Sequence, residues 1–289
     1  MAKIDPSARV SQDAHLGPDV VVGPFCLVRP GAAIGGGCIL DSYVVVERGT
    51  SLGENNRVFH GAVLGGPPQH VAAGEEVGTL VIGSGNVIRE HVTIHRALET
   101  GGVTRVGNNN LLMVGAHVAH DCRVGNHVIM ANNVLLAGHV SVDDRAFLSG
   151  SAVVHQFCRI GCLAMLGALA RVGKDVAPYV TIDGGTNRVV GLNLVGIRRA
   201  GIAADKIRQL KAAYRLVFRS GLPWEQRVAR LRQEFSTGPA GQFQEFFQDS
   251  VRSYCQERLP RDADEEFPHH AQFSAEHESR ELRPLREAA

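Results

Sequence analysis

Aliphatic residues recur at every sixth position along most of this chain. The longest unbroken stretch covers residues 106–172, with Val, Leu, Ile or Met at each step of six. A six-residue period fits neither an α-helix, with 3.6 residues per turn, nor a straight β-strand, with a period of two. It predicts a parallel β-helix, in which short strands turn corners and each coil buries its own ladder of aliphatic side chains.

The same period holds in two earlier runs, at residues 10–64 and 82–94. The segments between the runs break the repeat, and a solenoid tolerates an insertion at a corner because the strands on either side still stack. We therefore predict two projecting loops, at 66–80 and 97–104. Loops on a rigid scaffold often carry function.

After residue 172 the period of six ends and helical spacing replaces it. Apolar residues recur at helical intervals in three segments, and Gly221 and Pro223 offer a stop for the first helix and a start for the second. The predicted fold class is mainly β, a parallel β-helix followed by a C-terminal α-helical domain. The predicted boundaries are 1–190 for the β-helix, 191–256 for the helical domain and 257–289 for a poorly ordered tail.

Composition excludes several classes of function. The net charge of +1 argues against a general nucleic-acid binder. No run of 18 apolar residues occurs and the N-terminus lacks the apolar core of a signal peptide, so neither membrane insertion nor export is indicated. The six cysteines lack the paired spacing of metal ligands, so we expect them to be reduced thiols packed in the protein. Reduced thiols are typical of cytoplasmic proteins, and we expect this location.

Four histidines lie within the longest run. If three hexads close a coil of 18 residues, strands 18 positions apart stack at roughly 4.8 Å. His120, His139 and His155 are then expected on three successive rungs of one face, with His117 at the corner just before them. The sequence therefore predicts a vertical histidine cluster on the β-helix.

Several segments around these histidines resemble a known family. They are IREHVTIHR (88–96), NNLLMVGAHVAHDCRVGN (109–126), LAGHVSVDD (136–144), VHQFCRIG (154–161) and the module after GLNLVGIRRAG. Hexapeptide-repeat acyltransferases share the repeat, and AHDC, HQF and the C-terminal module resemble acyl-carrier-protein-dependent UDP-N-acetylglucosamine O-acyltransferases. The resemblance implies a left-handed β-helix, an exception to the usual right-handed crossover.

The resemblance also implies an activity, the first step of lipid A biosynthesis. A 3-hydroxyacyl group passes from acyl carrier protein to the 3-hydroxyl of UDP-N-acetylglucosamine, without cofactor or metal. His120 matches the family's general base, and the backbone N–H of Gly138 matches its oxyanion donor. Asp121 matches the partner of the base, although alternation along a strand would point the side chains of His120 and Asp121 apart. The implied substrate-binding residues are His117, His139, His155, Gln156, Gln69, Asn193 and Arg199.

Other positions depart from the family pattern. His70 and Ala72 stand where the first loop commonly has an aspartate and a lysine, and Thr186 and Val195 where a histidine and a glutamate are common. These departures leave the acceptor open between UDP-N-acetylglucosamine and a 3-amino UDP-sugar, and the donor between acyl carrier protein and coenzyme A. A γ-carbonic-anhydrase-like zinc protein is a further alternative, because that class places three histidines on the same kind of β-helix.

The resemblance further implies an acyl-chain ruler and an assembly. Ala168, next to Gly167, matches the residue that ends the acyl groove, and counting rungs from His120 predicts a donor of about 10 to 14 carbons. The family forms homotrimers with active sites between subunits, so we expect a homotrimer. A basic surface for the acidic carrier protein is offered by Arg198, Arg199, Lys206, Arg208 and Lys211, which would otherwise form a solvated helix face.

Overall fold

Three parallel β-sheets wind around one hydrophobic core in the computed structural model, which describes residues 1–248 and 253–258. Sheet A contains β1 (Lys3–Ile4), β4 (Val21–Val22), β7 (Ile39–Leu40), β10 (Arg57–Val58), β13 (Val87–Ile88), β16 (Leu111–Leu112), β19 (Ile129–Met130), β22 (Phe147–Leu148), β25 (Met165–Leu166), β27 (Val180–Ile182) and β28 (Val189–Leu192). Sheet B contains β2 (Arg9–Val10), β5 (Leu27–Val28), β8 (Val45–Val46), β11 (Val63–Gly66), β14 (Thr93–His95), β17 (His117–Val118), β20 (Leu135–Leu136), β23 (Val153–Val154) and β26 (Arg171–Val172). Sheet C contains β3 (His15–Leu16), β6 (Ala33–Ile34), β9 (Thr50–Leu52), β12 (Thr79–Ile82), β15 (Val103–Val106), β18 (Arg123–Val124), β21 (Ser141–Val142) and β24 (Arg159–Ile160).

Each coil visits sheets A, B and C in turn, which is the parallel β-helix that the period predicts. The register is 18 residues wherever no insertion intervenes, so that Val118 pairs with Leu136 and Leu136 with Val154. These hexad residues are fully buried, because the second residue of each short strand points into the core. The aliphatic ladder is therefore the hydrophobic core of the β-helix.

The two insertions lie at the predicted corners but are shorter than predicted. The first occupies residues 67–78 between β11 and β12, and the second residues 96–102 between β14 and β15. The flanking strands extend into the predicted loop limits, because β12 pairs with β15 over four residues. A hydrogen bond from Gly78 N to Ala97 O, 2.9 Å, joins the two insertions.

Four helices follow the β-helix: α1 (Leu194–Arg199), α2 (Ala204–Arg219), α3 (Trp224–Glu234) and α4 (Gly238–Gln248). The sequence signals predict the end of α2 near Gly221 and the start of α3 after Pro223. No helical pattern predicted α1, a helix of six residues. None of the helices in the described residues is both long enough and apolar enough to cross a membrane.

The helices pack against the last coils of the β-helix. The α4 side chains Phe243, Phe246 and Phe247 are buried, and the Arg159 guanidinium of β24 lies 4.3 Å from the centre of the Phe246 ring. Residues 1–257 accordingly form one compact unit. All six cysteines are free thiols, five of them buried.

The start of the predicted tail is held in place. Glu257 accepts hydrogen bonds from the Tyr214 hydroxyl, 2.7 Å, and from Arg219 Nε, 2.8 Å, and forms a β-bridge with Val189. The predicted boundary at 257 is therefore too early. The rest of that prediction, from residue 259 onward, lies outside the described residues, as does Val251 of the third predicted helical segment.

Candidate active site

Three successive corners between sheets B and C carry the candidate chemistry. We name them the first corner (119–121), the second corner (137–139) and the third corner (155–157). Each follows a two-residue strand, and its last residue has a positive φ: 61° at Asp121, 60° at His139 and 65° at Phe157. The corners stack because their preceding strands, β17, β20 and β23, are hydrogen-bonded neighbours.

The predicted arrangement of the histidines on one face is wrong in detail. His120 is the second residue of its corner, His139 the third of the next and His155 the first of the last, while His117 lies on strand β17. The strands are only two residues long, so the remaining residues of each hexad belong to turns. The histidines therefore line an edge of the β-helix and not a flat face.

His120 and Asp121 form a hydrogen-bonded pair at the first corner. His120 is buried, and its Nδ1 lies 2.8 Å from Asp121 Oδ2. The expectation that alternation along a strand would point the two side chains apart is wrong, because Asp121 is a turn residue in the left-handed region. With Nδ1 donating to the carboxylate, the lone pair of the neutral imidazole lies on Nε2, which suits a general base.

The second insertion and the strand that follows it hold Asp121 in place. The backbone N–H of Leu98 donates to Asp121 Oδ2 at 3.0 Å, and the backbone N–H of Asp121 donates to Thr104 Oγ1 at 2.8 Å. Two donors, the His120 ring and the Leu98 amide, thus converge on one carboxylate oxygen. This arrangement orients the imidazole and places a carboxylate beside its Nδ1.

Gly138 of the second corner packs directly against the His120 ring. A Cβ atom built on Gly138 would lie 2.6 Å from His120 Cε1 and 2.7 Å from its Nε2, so only glycine fits beside the imidazole. The neighbouring amides of Ala137 and His139 donate to Val154 O and His120 O, whereas the Gly138 N–H has no acceptor within residues 1–248. An unpaired amide next to Nε2 is suited to an oxyanion.

Two further imidazoles lie at right angles to His120. The His139 ring centre is 5.3 Å away at 90°, and the His70 ring centre is 5.4 Å away at 79°. His70 comes from the first insertion, and the Ala72 N–H donates to its Nδ1 at 3.1 Å. Sequence reasoning noted His70 only as a departure from the family pattern. Its contact with His120 depends on the fold of the insertion, which the hexad pattern does not encode.

His117 and His95 form a second histidine pair beneath the first corner. Their ring centres are 5.1 Å apart, the Thr93 hydroxyl lies 2.8 Å from His117 Nδ1, and the carbonyl oxygen of Pro67 lies 2.6 Å from His95 Nδ1. Burial and the neighbouring His95 lower the pKa of His117 to about 4. Burial also lowers the pKa of His95. Both rings are therefore neutral near pH 7. His95 was absent from the predicted site, although it lies within the quoted segment 88–96.

The third corner is open to solvent. His155, Gln156 and Phe157 are exposed, and the closest polar neighbour of His155 Nδ1 is the Gln156 carbonyl at 3.2 Å. Within the described part of the chain, no ring contact joins His155 to another histidine. Phe157 does reach back, because its ring stacks on His139 with centres 4.5 Å apart.

Two imidazoles and one carboxylate of the site could also hold a divalent metal. One ligand atom from each of His120, Asp121 and His139 lies within 4.8 Å of the other two. Such a donor set is acceptable to zinc. His120 Nδ1 is already hydrogen-bonded to Asp121, so His120 would have to bind a metal through Nε2.

The remaining predicted binding residues lie apart from the histidines. Gln69 is exposed in the first insertion, and Arg199 is exposed at the end of α1. Asn193 is the N-cap of α1, where its Oδ1 accepts from Gly196 N at 3.0 Å and its Nδ2 donates to Leu163 O at 2.9 Å. Both polar ends of Asn193 are thus used within the chain, which the resemblance did not predict.

Gly167 and Ala168 lie on a different edge of the β-helix from His120. They follow β25 of sheet A, at a corner that leads to sheet B, whereas His120 follows β17 of sheet B at a corner that leads to sheet C. The rung count between Ala168 and His120 measured only the distance along the axis and ignored any lateral offset between subunits. One chain does not bring the two residues to the same edge, so the predicted chain length of about 10 to 14 carbons stays a prediction.

Comparisons with known proteins agree with the architecture. Residues 104–138 match the model of the bacterial transferase hexapeptide (six repeats), and residues 175–255 match the model of domain 2 of UDP-N-acetylglucosamine O-acyltransferase. The structure superposes on UDP-N-acetylglucosamine O-acyltransferase from Moraxella catarrhalis with a TM-score of 0.84 and 37% identity, covering 88% of this chain and 99% of that one. The β-helix is left-handed, as the resemblance implied.

Two relatives carry the name acyl-[acyl-carrier-protein]–UDP-N-acetylglucosamine O-acyltransferase. The protein from Synechocystis is 46% identical over 215 residues, which cover 74% of this chain and 77% of the relative. The protein from Sinorhizobium fredii is 44% identical over 239 residues, which cover 82% and 88%. On this similarity, the chain belongs to the family of acyl-[acyl-carrier-protein]–UDP-N-acetylglucosamine O-acyltransferases.

Proposed function

We propose that the chain transfers a 3-hydroxyacyl group from acyl carrier protein to the 3-hydroxyl of UDP-N-acetylglucosamine, the first step of lipid A biosynthesis, with His120 as general base. One observation carries the assignment of the base. The His120 ring is buried, its Nδ1 is hydrogen-bonded to Asp121 at 2.8 Å, and its Nε2 lies beside Gly138. This arrangement leaves one basic nitrogen next to one free amide donor.

Each of these groups has a step to perform. Nε2 of His120 takes the proton of the sugar hydroxyl while the hydroxyl oxygen attacks the thioester carbonyl carbon. Asp121 stabilises the resulting imidazolium, and the Gly138 N–H donates to the oxyanion of the tetrahedral intermediate. When the carbon–sulfur bond breaks, the thiolate of the carrier leaves and takes the proton from Nε2. The base is then ready for the next cycle.

We assign substrate binding to the other residues that the resemblance implies. His117 is neutral near pH 7, so it offers a hydrogen bond without a charge. His139 lies beside His120, His155 and Gln156 are exposed at the third corner of the same edge, and Gln69 lies on the first insertion next to His70. Arg199 supplies a cation for the nucleotide, and Asn193 acts by ordering α1, on which Arg199 lies.

We also propose that the active enzyme is a homotrimer. Ala168 and His120 lie on different edges of one chain, so a groove that runs from the base to the ruler needs a neighbouring subunit to bring Ala168 to the His120 edge. Light scattering at micromolar concentration is expected to give the mass of three chains. A monomer would contradict this assembly.

Ala168→Met tests the ruler. A methionine side chain at this exposed position would fill the end of the groove, so we expect the preferred donor to become shorter by a few carbons. The measurement is kcat/KM across a series of carrier-protein thioesters. Ser42→Met, at the same corner position near the N-terminal end, serves as the control. An unchanged length preference in Ala168→Met would show that Ala168 is not the ruler.

The reaction itself is tested by a panel of substrates. The wild-type protein is offered UDP-N-acetylglucosamine and its 3-amino analogue, each with carrier-protein and coenzyme A thioesters. Transfer to the hydroxyl from the carrier protein is expected. Preference for the amine or for coenzyme A would reassign the substrate, and the departures at Thr186 and Val195 make that arm necessary.

His120→Ala tests the role of the base. The variant is expected to fold normally and to lose on the order of 10²-fold or more in kcat, the usual contribution of general-base catalysis. A near-wild-type rate would refute the assignment. Metal analysis of the purified protein separates the alternative reading, because stoichiometric zinc at His120, Asp121 and His139 would favour a metal-dependent activity.

A further inference from the structure

A cavity lies beside the two insertions, on the edge of the β-helix where the chain passes from sheet B to sheet C. Its volume is about 460 Å³, and it is lined by the corner between β8 and β9 and by residues of both insertions. None of the lining residues belongs to the three corners that carry the candidate chemistry. The cavity is therefore separate from the site around His120, on coils nearer the N-terminus.

Arg96, the first residue of the second insertion, is the buried cation of this cavity. It is 7% exposed, and its Nε donates to the Gly65 carbonyl oxygen at 2.8 Å. Its Nη1 and Nη2 have no acceptor within the described residues. The one enclosed side-chain nitrogen or oxygen without a partner in those residues is Asn110 Nδ2, so Nη1 and Nη2 of Arg96 reach open space. The cavity supplies that space.

The Arg96 guanidinium also has no carboxylate partner in the described part of the chain. Burial is the main cause that lowers the pKa of Arg96, and the charge of Arg48 adds to it, whereas the charge of Glu47 opposes it. Glu47 itself pairs with Arg29 at 3.7 Å. Arginine stays protonated in proteins, so the fold keeps a charged fork unpaired at the wall of a cavity. An anion in the cavity would offset the cost of burying that charge.

Arg48 supplies a second cation at the same wall. It is exposed, and it forms neither a hydrogen bond nor an ion pair through its side chain within the described ranges. A Cβ built on the adjacent Gly49 would lie 3.8 Å from Arg96 Nη1, which places the fork of Arg96 next to the corner that carries Arg48. Two guanidiniums on one wall favour a dianion, and the planar fork of arginine matches a phosphate group in particular.

Glu75 and Glu76 of the first insertion line the cavity as well. Both are exposed, and among the described residues neither forms an ion pair with Arg48 or Arg96. Carboxylates accept hydrogen bonds from hydroxyl groups. The volume exceeds that of a phosphate ion and falls in the range of sites for small organic molecules. The cavity therefore suits a molecule with a phosphate at one end and hydroxyl groups at the other.

The cavity lies between segments that hold the candidate base. The Thr100 hydroxyl of the second insertion donates to the Glu76 carbonyl oxygen of the first at 3.4 Å. The same two insertions supply the His70 ring and the Leu98 amide at the first corner. A ligand that spans the cavity therefore restricts the motion of the segments that cover and orient the base.

We propose that this cavity binds a small phosphomonoester, with its phosphate on Arg48 and Arg96 and its hydroxyl groups toward Glu75 and Glu76. The ligand is distinct from the nucleotide sugar and the acyl donor, because both of those must reach His120. The site thus goes beyond the proposed acyl transfer. Its occupancy orders the two insertions from a position outside the reaction centre.

Isothermal titration of the full chain tests the phosphate end of the site. Inorganic phosphate and glycerol 3-phosphate are each expected to bind with a Kd of about 1 mM, the strength of two charge-assisted hydrogen bonds, and glycerol is expected not to bind. Arg48→Gln and Arg96→Gln are each expected to weaken both phosphates by about tenfold. Arg9→Gln, an exposed arginine of β2, is the matched control and is expected to change neither.

The hydroxyl end is tested by comparing the two phosphates. Glycerol 3-phosphate is expected to bind about threefold more tightly than inorganic phosphate, the value of one ordinary hydrogen bond. A double variant, Glu75→Ala with Glu76→Ala, is expected to bind both phosphates equally. A preference that survives in this variant would refute the placement of the hydroxyl groups.

Amide hydrogen exchange tests the link to the insertions. Saturating glycerol 3-phosphate is expected to slow exchange in residues 67–78 and 96–102 of the wild type and of Arg9→Gln, but not of Arg48→Gln. Arg48 makes no side-chain hydrogen bond in the described chain, so this variant keeps the test valid if Arg96→Gln perturbs the fold of the insertions. Unchanged exchange in the occupied wild type would refute the ordering.

Three results would overturn the site itself. They are no phosphate binding to the wild type, unchanged affinity in both arginine variants, and displacement of phosphate by saturating UDP-N-acetylglucosamine. Displacement would mean that the arginines bind the diphosphate of the nucleotide sugar. None of these measurements uses turnover, so their outcome is independent of the proposed acyl transfer.

Discussion

The first and third corners have the same backbone but different surroundings. Both follow two-residue strands of sheet B, and both end on a residue with positive φ, 61° at Asp121 and 65° at Phe157. The first corner is covered by the two insertions, through the His70 ring and the Leu98 amide, and His120 is 7% exposed. At the third corner, by contrast, His155 is exposed.

The comparison shows what turns a corner of this β-helix into a candidate site. The repeat supplies a turn in which side chains two coils apart occupy equivalent places. The His70 ring that covers His120 and the Leu98 amide that orients Asp121 come from outside the repeat, because both belong to the insertions that interrupt it before the first corner. Desolvation strengthens the electrostatic interactions that acid–base chemistry uses. A histidine alone at a corner does not achieve this.

Gly138→Ala is expected to cause the largest loss among substitutions that spare the base itself. The new Cβ would meet the His120 ring at 2.6–2.7 Å, so the imidazole must move although Asp121 holds its other side. A displacement of about 1 Å can cost about 10² in rate, and we expect a loss of that order in kcat.

Gly150→Ala is the matched control for that variant. Gly150 is also the second residue of its corner, yet the nearest atom to its new Cβ is 3.7 Å away, an ordinary contact. Its rate is expected to stay near that of the wild type. If both alanine variants were equally slow, the loss would arise from the corner backbone and not from contact with His120.

Asp121→Asn isolates the charge of the partner. Asparagine tolerates a positive φ, so the corner keeps its shape while the carboxylate is lost. A hydrogen bond to a charged group contributes about 1.5–3 kcal/mol, and we expect kcat to fall by about tenfold or more. The pH profile of kcat is the second measurement. A rate equal to the wild type would remove Asp121 from the mechanism.

The regular part of the fold could be predicted because each hexad contains one aliphatic residue at a fixed position, and that residue points into the core. Val118, Leu136 and Val154 are fully buried as the period requires. The period does not show where a two-residue strand ends. The prediction therefore put His120 and His155 on a flat face of the β-helix, whereas both lie at corners. The short helix α1 escaped prediction because six residues are too few to display a helical period, and its cap, Asn193, looked like a ligand-binding residue.

The contacts of the insertions could not be predicted for a different reason. His70 meets His120 and Leu98 meets Asp121 through residues that are far apart in sequence and outside the repeat. No local pattern specifies such contacts. The edge of the β-helix on which Ala168 lies was not predicted either. Its assignment requires knowing which of the three sheets each strand joins, and the strand pairing in the structure supplies this information.

His155→Ala tests the exposed side of the comparison. Because the one hydrogen-bond partner of the His155 ring within the described residues is the neighbouring Gln156 carbonyl, we expect kcat to change by less than about threefold, the effect of losing one ordinary hydrogen bond. Any larger effect is expected in KM. A loss in kcat as large as that of His120→Ala would break the distinction between the two corners and give the third corner a catalytic role.

The smallest expected effect concerns the strand beneath the first corner. His117 is partly buried, and burial together with His95 lowers its pKa to about 4, whereas an unfolded histidine titrates near 6.5. Between these values the unfolded chain binds more protons, so the free energy of unfolding decreases as the pH falls from 6.5 to 4. Above pH 6.5 His117 is neutral in both states and its contribution no longer changes. His95, whose pKa burial also lowers, acts in the same direction.

His117→Asn removes this titration while keeping a polar atom near the Thr93 hydroxyl. The melting temperature of the wild type is expected to fall more steeply than that of the variant between pH 6.5 and 4. After allowance for partial exposure the difference is about 1 kcal/mol, or about 2–4 °C. The third corner supplies the control, because the residue that aligns with His117 two coils later is Val153, which does not titrate. Val153→Thr is therefore expected to leave the slope of the wild type unchanged. Equal slopes in wild type and His117→Asn would mean that His117 is protonated as readily in the folded chain as in the unfolded one, and that the insertions do not shield the strand below the base.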